Sequence, residues 1–520
     1  MAQISVSNLT FYYEGSADNV FEDVSFSIDT DWRLGFVGRN GKGKTTFLRL
    51  LMGEYEYVGK ISAGTDFDYF PYRITDDMMR MCAADFVEDL KAGCELWRVI
   101  CELDGLDADA ELLYRPFGTL SYGERTKVML AVLFSGENDF LLIDEPTNHL
   151  DMAARDTVKK YLRTKKGFIL VSHDRDLLDA CTDHILALNR CTIEVQSGNF
   201  SSWWENKQKS DAFARAENER HRREIGKLKR ASEQTRQWAD KSERSKIGFD
   251  PVKEHDRSID TRAYIGAKTK KLQSRVKQIG ERLDREISEK EGLLRDIETP
   301  VDLKLFPLKY HKDTLVSARD YGMGYERGKP PVFEGLSFGI NQGERVFLRG
   351  SNGCGKSSLI KMIVAGSRGE SDLSGFGGGF FQSGELSIAS GLIISYINQD
   401  TSFLKGSVAD FCREKGFDES LFCALLRKLD FERVQFSKDM ADFSEGQKKK
   451  ALIAASLLTP AHLYIWDEPL NYIDVFSRIQ LEELILAYKP TMLVVEHDER
   501  FCERIATKVV DFSPENPFSL

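Results

Sequence analysis

Gly38-Arg39-Asn40-Gly41-Lys42-Gly43-Lys44-Thr45-Thr46 returns later in the chain as Gly350-Ser351-Asn352-Gly353-Cys354-Gly355-Lys356-Ser357-Ser358. Each copy follows a short apolar run, Arg33–Val37 in the first, and leads into an amphipathic segment, Thr45–Met52 there. That order predicts strand, glycine-rich loop and helix. The glycines let backbone N–H groups wrap a phosphate chain, and the helix N-terminus adds a favourable dipole. Lys44 and Lys356 supply a point charge to terminal phosphates, and Thr45 and Ser357 offer hydroxyls to a magnesium ion. One such match arises easily by chance; two in the same context do not.

The repeat extends outward in order. Tyr13 and Tyr325 each lie 25 residues before the first glycine of their loop. Leu120-Ser121-Tyr122-Gly123-Glu124 is echoed by Phe443-Ser444-Glu445-Gly446-Gln447, Ile143-Asp144-Glu145-Pro146 by Trp466-Asp467-Glu468-Pro469, and Ser172-His173-Asp174 by Glu496-His497-Asp498. Phe140–Ile143 and Leu463–Trp466 read as buried parallel strands. Asp144 and Asp467 then emerge at strand carboxyl ends, where ligands of α/β sheets sit. Glu145 and Glu468 are placed to polarise an attacking water; a pair of acids that merely caps a helix is the plainer alternative. Two modules follow, 1–203 and 315–520. The second carries an extra glycine-rich stretch, Gly366 to Gly391, expected to be a surface loop.

Size and composition agree with this division. The chain has 520 residues, 42% of them hydrophobic and 30% charged, as in globular proteins of several domains. Its apolar runs fall far short of the roughly 18 residues that span a bilayer. Met1-Ala2-Gln3-Ile4 carries no basic start followed by an apolar stretch, so no secretory signal is expected. Nine cysteines without a C-x-x-C pair read as reduced thiols. The net charge of −10 argues against a nucleic-acid partner for the chain as a whole. Yet 207–277 holds 21 Lys and Arg against 11 Asp and Glu. Such a stretch is either a solvated helix face or a basic arm aimed at phosphates.

Together the lysine loop, the Ser-x-Gly-Glu/Gln signature, Asp-Glu-Pro and the late histidine resemble the ATP-binding cassette (ABC) ATPases over both modules. The resemblance implies ATP and Mg²⁺ as cofactors and head-to-tail pairing within a monomer. Each ATP would lie between the lysine loop of one module and the signature of the other. Site one would join Tyr13, Gly38, Asn40, Gly41, Gly43, Lys44, Thr45, Thr46, Asp144, Glu145 and His173 to Ser444 and Gly446. Site two would join Tyr325, Gly350, Asn352, Gly353, Gly355, Lys356, Ser357, Ser358, Gln399, Asp467, Glu468 and His497 to Ser121 and Gly123. The tyrosines would stack on adenine. Thr45 with Asp144, and Ser357 with Asp467 and Gln399, would serve the metal. Glu145, Glu468, His173 and His497 would serve catalysis. The copies differ: Tyr72 stands in Tyr69-Phe70-Pro71-Tyr72 where Gln399 stands in Tyr396-Ile397-Asn398-Gln399, Tyr122 replaces a signature glycine, and Phe443 replaces a leucine. The two sites are therefore expected to be unequal.

Between the modules, 204–314 contains no proline from Glu205 to Asp250 or from Val252 to Thr299. Leu272, Val276, Ile279, Leu283, Ile287, Leu294 and Ile297 keep helical spacing; Phe213, Ile225 and Leu228 form a weaker stripe. Gly248 and Pro251 signal a turn. A helical hairpin is expected, its limbs on the order of 60 Å long, with an irregular charged tip over about 238–268. The fold class is thus α/β: two ABC-type P-loop NTPase domains joined by an antiparallel α-helical hairpin, a coiled-coil linker. Aromatic and basic residues in the tip, among them Trp238, Lys241, Arg244, Lys246, Phe249 and Lys253, suit stacking on RNA bases; a flexible surface loop is the plainer reading.

Twin cassettes, no membrane segment and a helical linker resemble the ABC-F proteins, and the long tip resembles their antibiotic-resistance branch of the Lsa/Vga kind. That resemblance implies a cytoplasmic ribosome-protection ATPase. It would bind the bacterial 70S ribosome near the tRNA exit site, with 23S rRNA and P-site tRNA as partners. Lincosamides, pleuromutilins and group A streptogramins would be the drugs relieved. The alternatives are a housekeeping ABC-F translation factor, the ATPase subunit of a drug exporter, and a DNA-repair ATPase.

Overall fold

The computed structural model describes residues 3–14, 19–136, 139–148, 150–189, 191–244, 274, 277–283, 285–286, 304–325, 331–368, 381–429, 431 and 433–512. By its packing the chain divides into Met1–Trp203 with Val301–Leu520, and Trp204–Pro300.

The first cassette opens on β1 (Gln3–Phe11), β2 (Phe21–Asp29) and β3 (Arg33–Val37), followed by helix α1 (Lys44–Leu51), β4 (Val58–Ser62) and β5 (Asp66–Phe70). Helices α2 (Ala83–Leu90), α3 (Leu96–Gly105) and α4 (Tyr122–Phe134) come next. Then β6 (Asp139–Asp144), α5 (Met152–Thr164), β7 (Phe168–Val171), α6 (Arg175–Cys181), β8 (His184–Asn189) and β9 (Thr192–Ser197) complete it. Two sheets form, an antiparallel one in the order β2-β1-β4 and a larger one in the order β5-β6-β7-β3-β8-β9. In the larger sheet every neighbouring pair is parallel except β8 with β9. Its central strands are buried along their length, which is why they read as unbroken apolar runs. Phe47 and Leu48 of α1 are fully buried with Phe21 and Phe36 in a core shared by both sheets.

Helix α7 (Phe200–Arg244) leads out of this cassette for 45 residues, about 67 Å at 1.5 Å per residue. Ala214, Asn218, His221, Ile225 and Leu228, at alternating steps of four and three, are among its buried or half-buried positions. The expected stripe is corrected at one residue. Phe213 is 66% exposed, because it lies one position, about 100° of helix rotation, off the line through Ala214 and Asn218. On the other limb Ile279 is exposed and Leu283 half-buried. The remaining stripe residues, Gly248, Pro251 and most of the tip lie outside the described residues.

The second cassette repeats the plan. It contains β10 (Thr314–Gly324), β11 (Phe333–Asn341), β12 (Arg345–Arg349), α8 (Lys356–Ser367), β13 (Phe381–Ile388) and β14 (Ile394–Ile397). Helices α9 (Val408–Lys415), α10 (Glu419–Lys428) and α11 (Glu445–Leu458) follow, then β15 (Leu463–Asp467), α12 (Val475–Tyr488), β16 (Met492–Val495), α13 (Glu499–Ile505) and β17 (Lys508–Asp511). Its sheets run β11-β10-β13 and β14-β15-β16-β12-β17. One expectation is corrected here. Within the glycine-rich stretch, 381–388 is not a loop but strand β13, paired antiparallel with β10 from Val316↔Ile388 to Gly324↔Phe381. Strand β10 offers a free row of backbone groups there, as β1 does to β4, and tertiary pairing overrides the weak local propensity.

Candidate functional site

Both loops turn into their helices through a glycine in the left-handed region, Gly43 at φ 107° and Gly355 at φ 100°. A side chain at either would also strike Val20 or Phe333, so the position requires glycine twice over. The turn puts Lys44 in the first helical position. Its ammonium donates to the carbonyls of Gly38 (2.7 Å) and Arg39 (3.1 Å) and to Asn40 Oδ1 (3.3 Å). Lys356 likewise donates to Gly350 (2.7 Å) and Ser351 (2.8 Å). Each loop is thereby curled around a cation that its own carbonyls hold.

Around Lys44 lies a cavity of about 410 Å³ that Tyr13, Asn40, Gly41, Thr45, Glu145 and His173 help to line, a size that suits a small organic ligand. Tyr13 stands at its mouth, 44% exposed, with its hydroxyl 2.7 Å from Thr46 Oγ1. Tyr325 makes the same contact with Ser358 at 2.5 Å. Thr45 Oγ1 donates to Asp144 Oδ2 at 2.7 Å, and the Tyr69 hydroxyl donates to the same oxygen at 3.1 Å. Burial pushes the Asp144 carboxyl up, against the pull of the Thr45 hydroxyl and Lys44.

Glu145 and Glu468 follow the strand-end aspartates with left-handed backbones, φ 52° and 49°. Such strain in a non-glycine residue persists only where the surroundings hold it. Here Glu145 N–H donates to Val171 O and Glu468 N–H to Val495 O, both at 2.9 Å. Each carboxylate meets its histidine, His173 Nε2 at 3.2 Å from Glu145 and His497 Nε2 at 3.8 Å from Glu468. Burial, then the neighbouring Asp144, pushes Glu145 up to about 8. His173 is held well below its ordinary value by burial and by Lys44, so its imidazole is neutral. For Glu468 burial acts upward too, but the His497 contact and Lys449 outweigh it and the carboxyl is lowered.

Register aligns the strands beside the aspartates: Phe70 pairs with Ile143 and Ile397 with Trp466. Tyr72 and Gln399 therefore occupy the same position, two residues past a strand end. Gln399 Nε2 donates to Glu468 Oε2 at 3.0 Å. The Tyr72 hydroxyl instead donates to Asp68 Oδ2 at 2.6 Å, away from Glu145. The signature serines each open a helix. Ser121 forms a capping box with Glu124 and Ser444 one with Gln447, which satisfies the first N–H groups of α4 and α11.

The cassettes meet at this site. Asn40 Nδ2 donates to the Tyr472 carbonyl at 2.6 Å, and Tyr472 helps to line the cavity. Gly446 lies behind Tyr472, so close that an added Cβ would be 3.0 Å from its carbonyl oxygen. Gly446 thus backs Tyr472, and neither Gly446 nor Ser444 is among the residues that line the cavity. On the other side Arg155 of the first cassette donates to the His497 carbonyl at 3.4 Å. Gly123 packs on Ala154 and Leu150 of its own cassette.

Twin lysine loops, each with a strand-end Asp-Glu pair, a histidine and a helix-opening signature, agree with the comparison with known families. A family model described as ABC transporter matches residues 21–148 and 333–471. The chain belongs to the ABC transporter family. As a member with two ABC cassettes it is an ATPase. ABC proteins similar to it include the ribosome protection protein VmlR of Bacillus subtilis (strain 168), 26% identical over 509 residues that cover 96% of this chain and 85% of that one. ATP-binding protein Uup of Buchnera aphidicola is 26% identical over 98% of this chain and 80% of its own. Among solved structures, the archaeal ribosome recycling factor aABCE1, in complex with ribosomal stalk protein aP1, shares the ABC fold. Its TM-score is 0.58 at 18% identity, with 97% of this chain and 87% of that one covered. No described helix is long and apolar enough to cross a membrane.

Several residues of this ABC site were not singled out from sequence. Tyr69 faces Asp144 from the neighbouring strand. Asn471 Nδ2 donates to Glu468 Oε2 at 2.9 Å. Asp474 is fully buried beside Lys450; burial opposes its ionisation, but the lysine and the Ser477 N–H bring it down to about 2. The signal for two of them was present: Asn148-His149-Leu150-Asp151 and Asn471-Tyr472-Ile473-Asp474 repeat directly after the Asp-Glu motifs. Of the tip residues, Trp238, Lys241 and Arg244 lie on the backbone of α7, and Lys246, Phe249 and Lys253 fall outside the described residues.

Proposed function

We propose that this ATPase is a ribosome-protection protein of the ABC-F class, working as a clamp on the bacterial ribosome. The observation that carries the reading is the likeness to VmlR along 96% of the chain, through both cassettes and the basic segment between them. Its three parts would be the cassettes 1–203 and 315–520 and the linker 204–314. In the bound state the linker tip, with Trp238, Lys241, Arg244, Lys246, Phe249 and Lys253, would meet 23S rRNA and P-site tRNA near the peptidyl-transferase centre. That would relieve lincosamides, pleuromutilins and group A streptogramins. A monomer in the cytoplasm fits this mode.

In each site the loop N–H groups and Lys44 or Lys356 bind the phosphates, and Tyr13 or Tyr325 stacks on adenine. Ser444 and Gly446, or Ser121 and Gly123, do not line the cradle in this structure and would complete it from the opposite cassette on closure around ATP. The donor set suits Mg²⁺: Asp467 is 1% exposed and neither carboxylate oxygen has a well-formed hydrogen bond among the described residues, and hard oxygen ligands are what that ion takes. Thr45 with Asp144, and Ser357 with Asp467 and Gln399, would hold it; bound there, it neutralises charge on the phosphates. Glu145 and Glu468 orient and polarise the attacking water, and the neutral His173 and its counterpart His497 hold the glutamate and contact the terminal phosphate. ATP acts on the clamp because its two faces come together only in the closed state, so closure has a differential affinity for nucleotide.

The test uses Glu145→Gln with Glu468→Gln. With ATP, the double variant is expected to cosediment with bacterial ribosomes. A folded, ATP-loaded variant that stays in the supernatant would overturn the reading. A housekeeping translation factor is the second reading, kept because the chain is equally, 26%, identical to a relative named only as ATP-binding protein Uup. Unchanged inhibitory concentrations of the three drug classes in a host expressing the chain would select it.

A further inference from the structure

Away from the nucleotide cavity, helices α6 and α13 meet across the cassettes. Both begin just after a motif histidine, so Arg175 corresponds to Glu499, and Asp176 to Arg500. Helices α5 and α12 both begin after an N-cap aspartate, Asp151 or Asp474, so Lys159 corresponds to Glu482. These six residues pair across the interface. The Arg175 guanidinium holds Glu482 with two hydrogen bonds, one of them 3.2 Å. The mate of that contact is Lys159 with Glu499 at 3.9 Å. Arg500 Nε donates to Asp176 at 2.5 Å, a contact between positions that are each other's counterparts, and the same guanidinium also donates to Asp179 of the first cassette.

The signs are exchanged between the copies at every one of these positions. If one cassette closed on a like cassette from a second chain, the same geometry would set Arg175 against Lys159 and Asp176 against Asp176. For the second cassette it would set Glu499 against Glu482 and Arg500 against Arg500. All of these are repulsive. The central pair is deeply buried, with the Arg175 side chain 7% and Glu482 0% exposed; Arg504 of its own cassette also reaches Glu482 at 2.9 Å, so it is Arg175 that a like cassette would leave buried without this partner, which is strongly destabilising. Like charges facing each other across an interface reject a wrong partner.

We propose that these three pairs are a recognition code: they select the opposite cassette of the same chain as the closing partner and reject a like cassette. This goes beyond the ribosome reading and does not depend on it.

The test uses the full chain with Glu145→Gln and Glu468→Gln, one dye on each cassette, and energy transfer as ATP is titrated. Arg500→Asp alone, or Asp176→Arg alone, is expected to raise the ATP needed for half-closure by about tenfold. Together the two reversals restore one attractive pair while Asp179 still opposes an acid at position 500, so closure is expected to recover at least about threefold from the singles without reaching the parent. Thermal melts of all variants confirm folding. Singles that close like the parent, or a folded double variant no better than the singles, would overturn the proposal. So would a parent chain that light scattering shows to dimerise when saturated with ATP; a single-chain mass is expected.

Discussion

Glu145 and Glu468 share a motif, a strained backbone and a histidine, yet their surroundings hold them differently. Glu468 accepts from Gln399 at 3.0 Å and Asn471 at 2.9 Å and is kept in the carboxylate form. Among the described residues Glu145 Oε1 has no well-formed hydrogen bond, with His173 Nε2 3.2 Å away, and burial and Asp144 push the carboxyl up to about 8. In the first cassette the polar support goes to the aspartate instead, since Thr45 and Tyr69 both donate to Asp144 Oδ2. Two copies of one motif can thus be tuned apart by what their neighbouring strand delivers. A base is made by its donors as much as by its position.

Four measurements separate the two cassettes. Glu468→Gln is expected to lower steady-state ATP hydrolysis by about 100-fold or more, within the range for a positioned base, whereas Glu145→Gln lowers it by less than about fivefold; equal losses in a phosphate-release assay would show the sites to be equivalent. Gln399→Ala should cost about tenfold in the same assay, as supporting groups do, while Tyr72→Phe leaves the rate within about twofold because its hydroxyl serves Asp68. Tyr69→Phe removes a donor from Asp144 and should weaken Mg²⁺-dependent binding of a fluorescent ATP analogue at the first site by about threefold; nucleotide binding in EDTA should not change. The symmetric feature gives the smallest effect. Ser121→Ala and Ser444→Ala each remove a helix cap worth ~1 kcal/mol, a fall of about 2–4 °C in Tm by calorimetry, the same in both cassettes.

Much of this was legible in the sequence. The lysine loops, the Asp-Glu pairs and the late histidines were readable because backbone geometry at a phosphate site admits few residue types. Tyr69 was not, because its role depends on which strand lies beside β6. β13 was not, because eight residues with little apolar pattern become a strand only when β10 offers an edge. Tyr472 was hidden for a similar reason: it acts through its backbone carbonyl on Asn40, and a carbonyl leaves no trace in residue type.

By itself, the sequence determined that this protein carries two ABC cassettes, because glycine, lysine and paired carboxylates at fixed spacings are demanded locally, by the phosphates and by the turn that holds them. The different support of the two sites and the charge-exchanged pairs through which the cassettes meet came from the folded chain. Those properties belong to contacts between residues hundreds of positions apart, such as Arg175 with Glu482 and Asn40 with Tyr472. Electrostatic and hydrogen-bond energies depend on distance and burial, which no local pattern encodes.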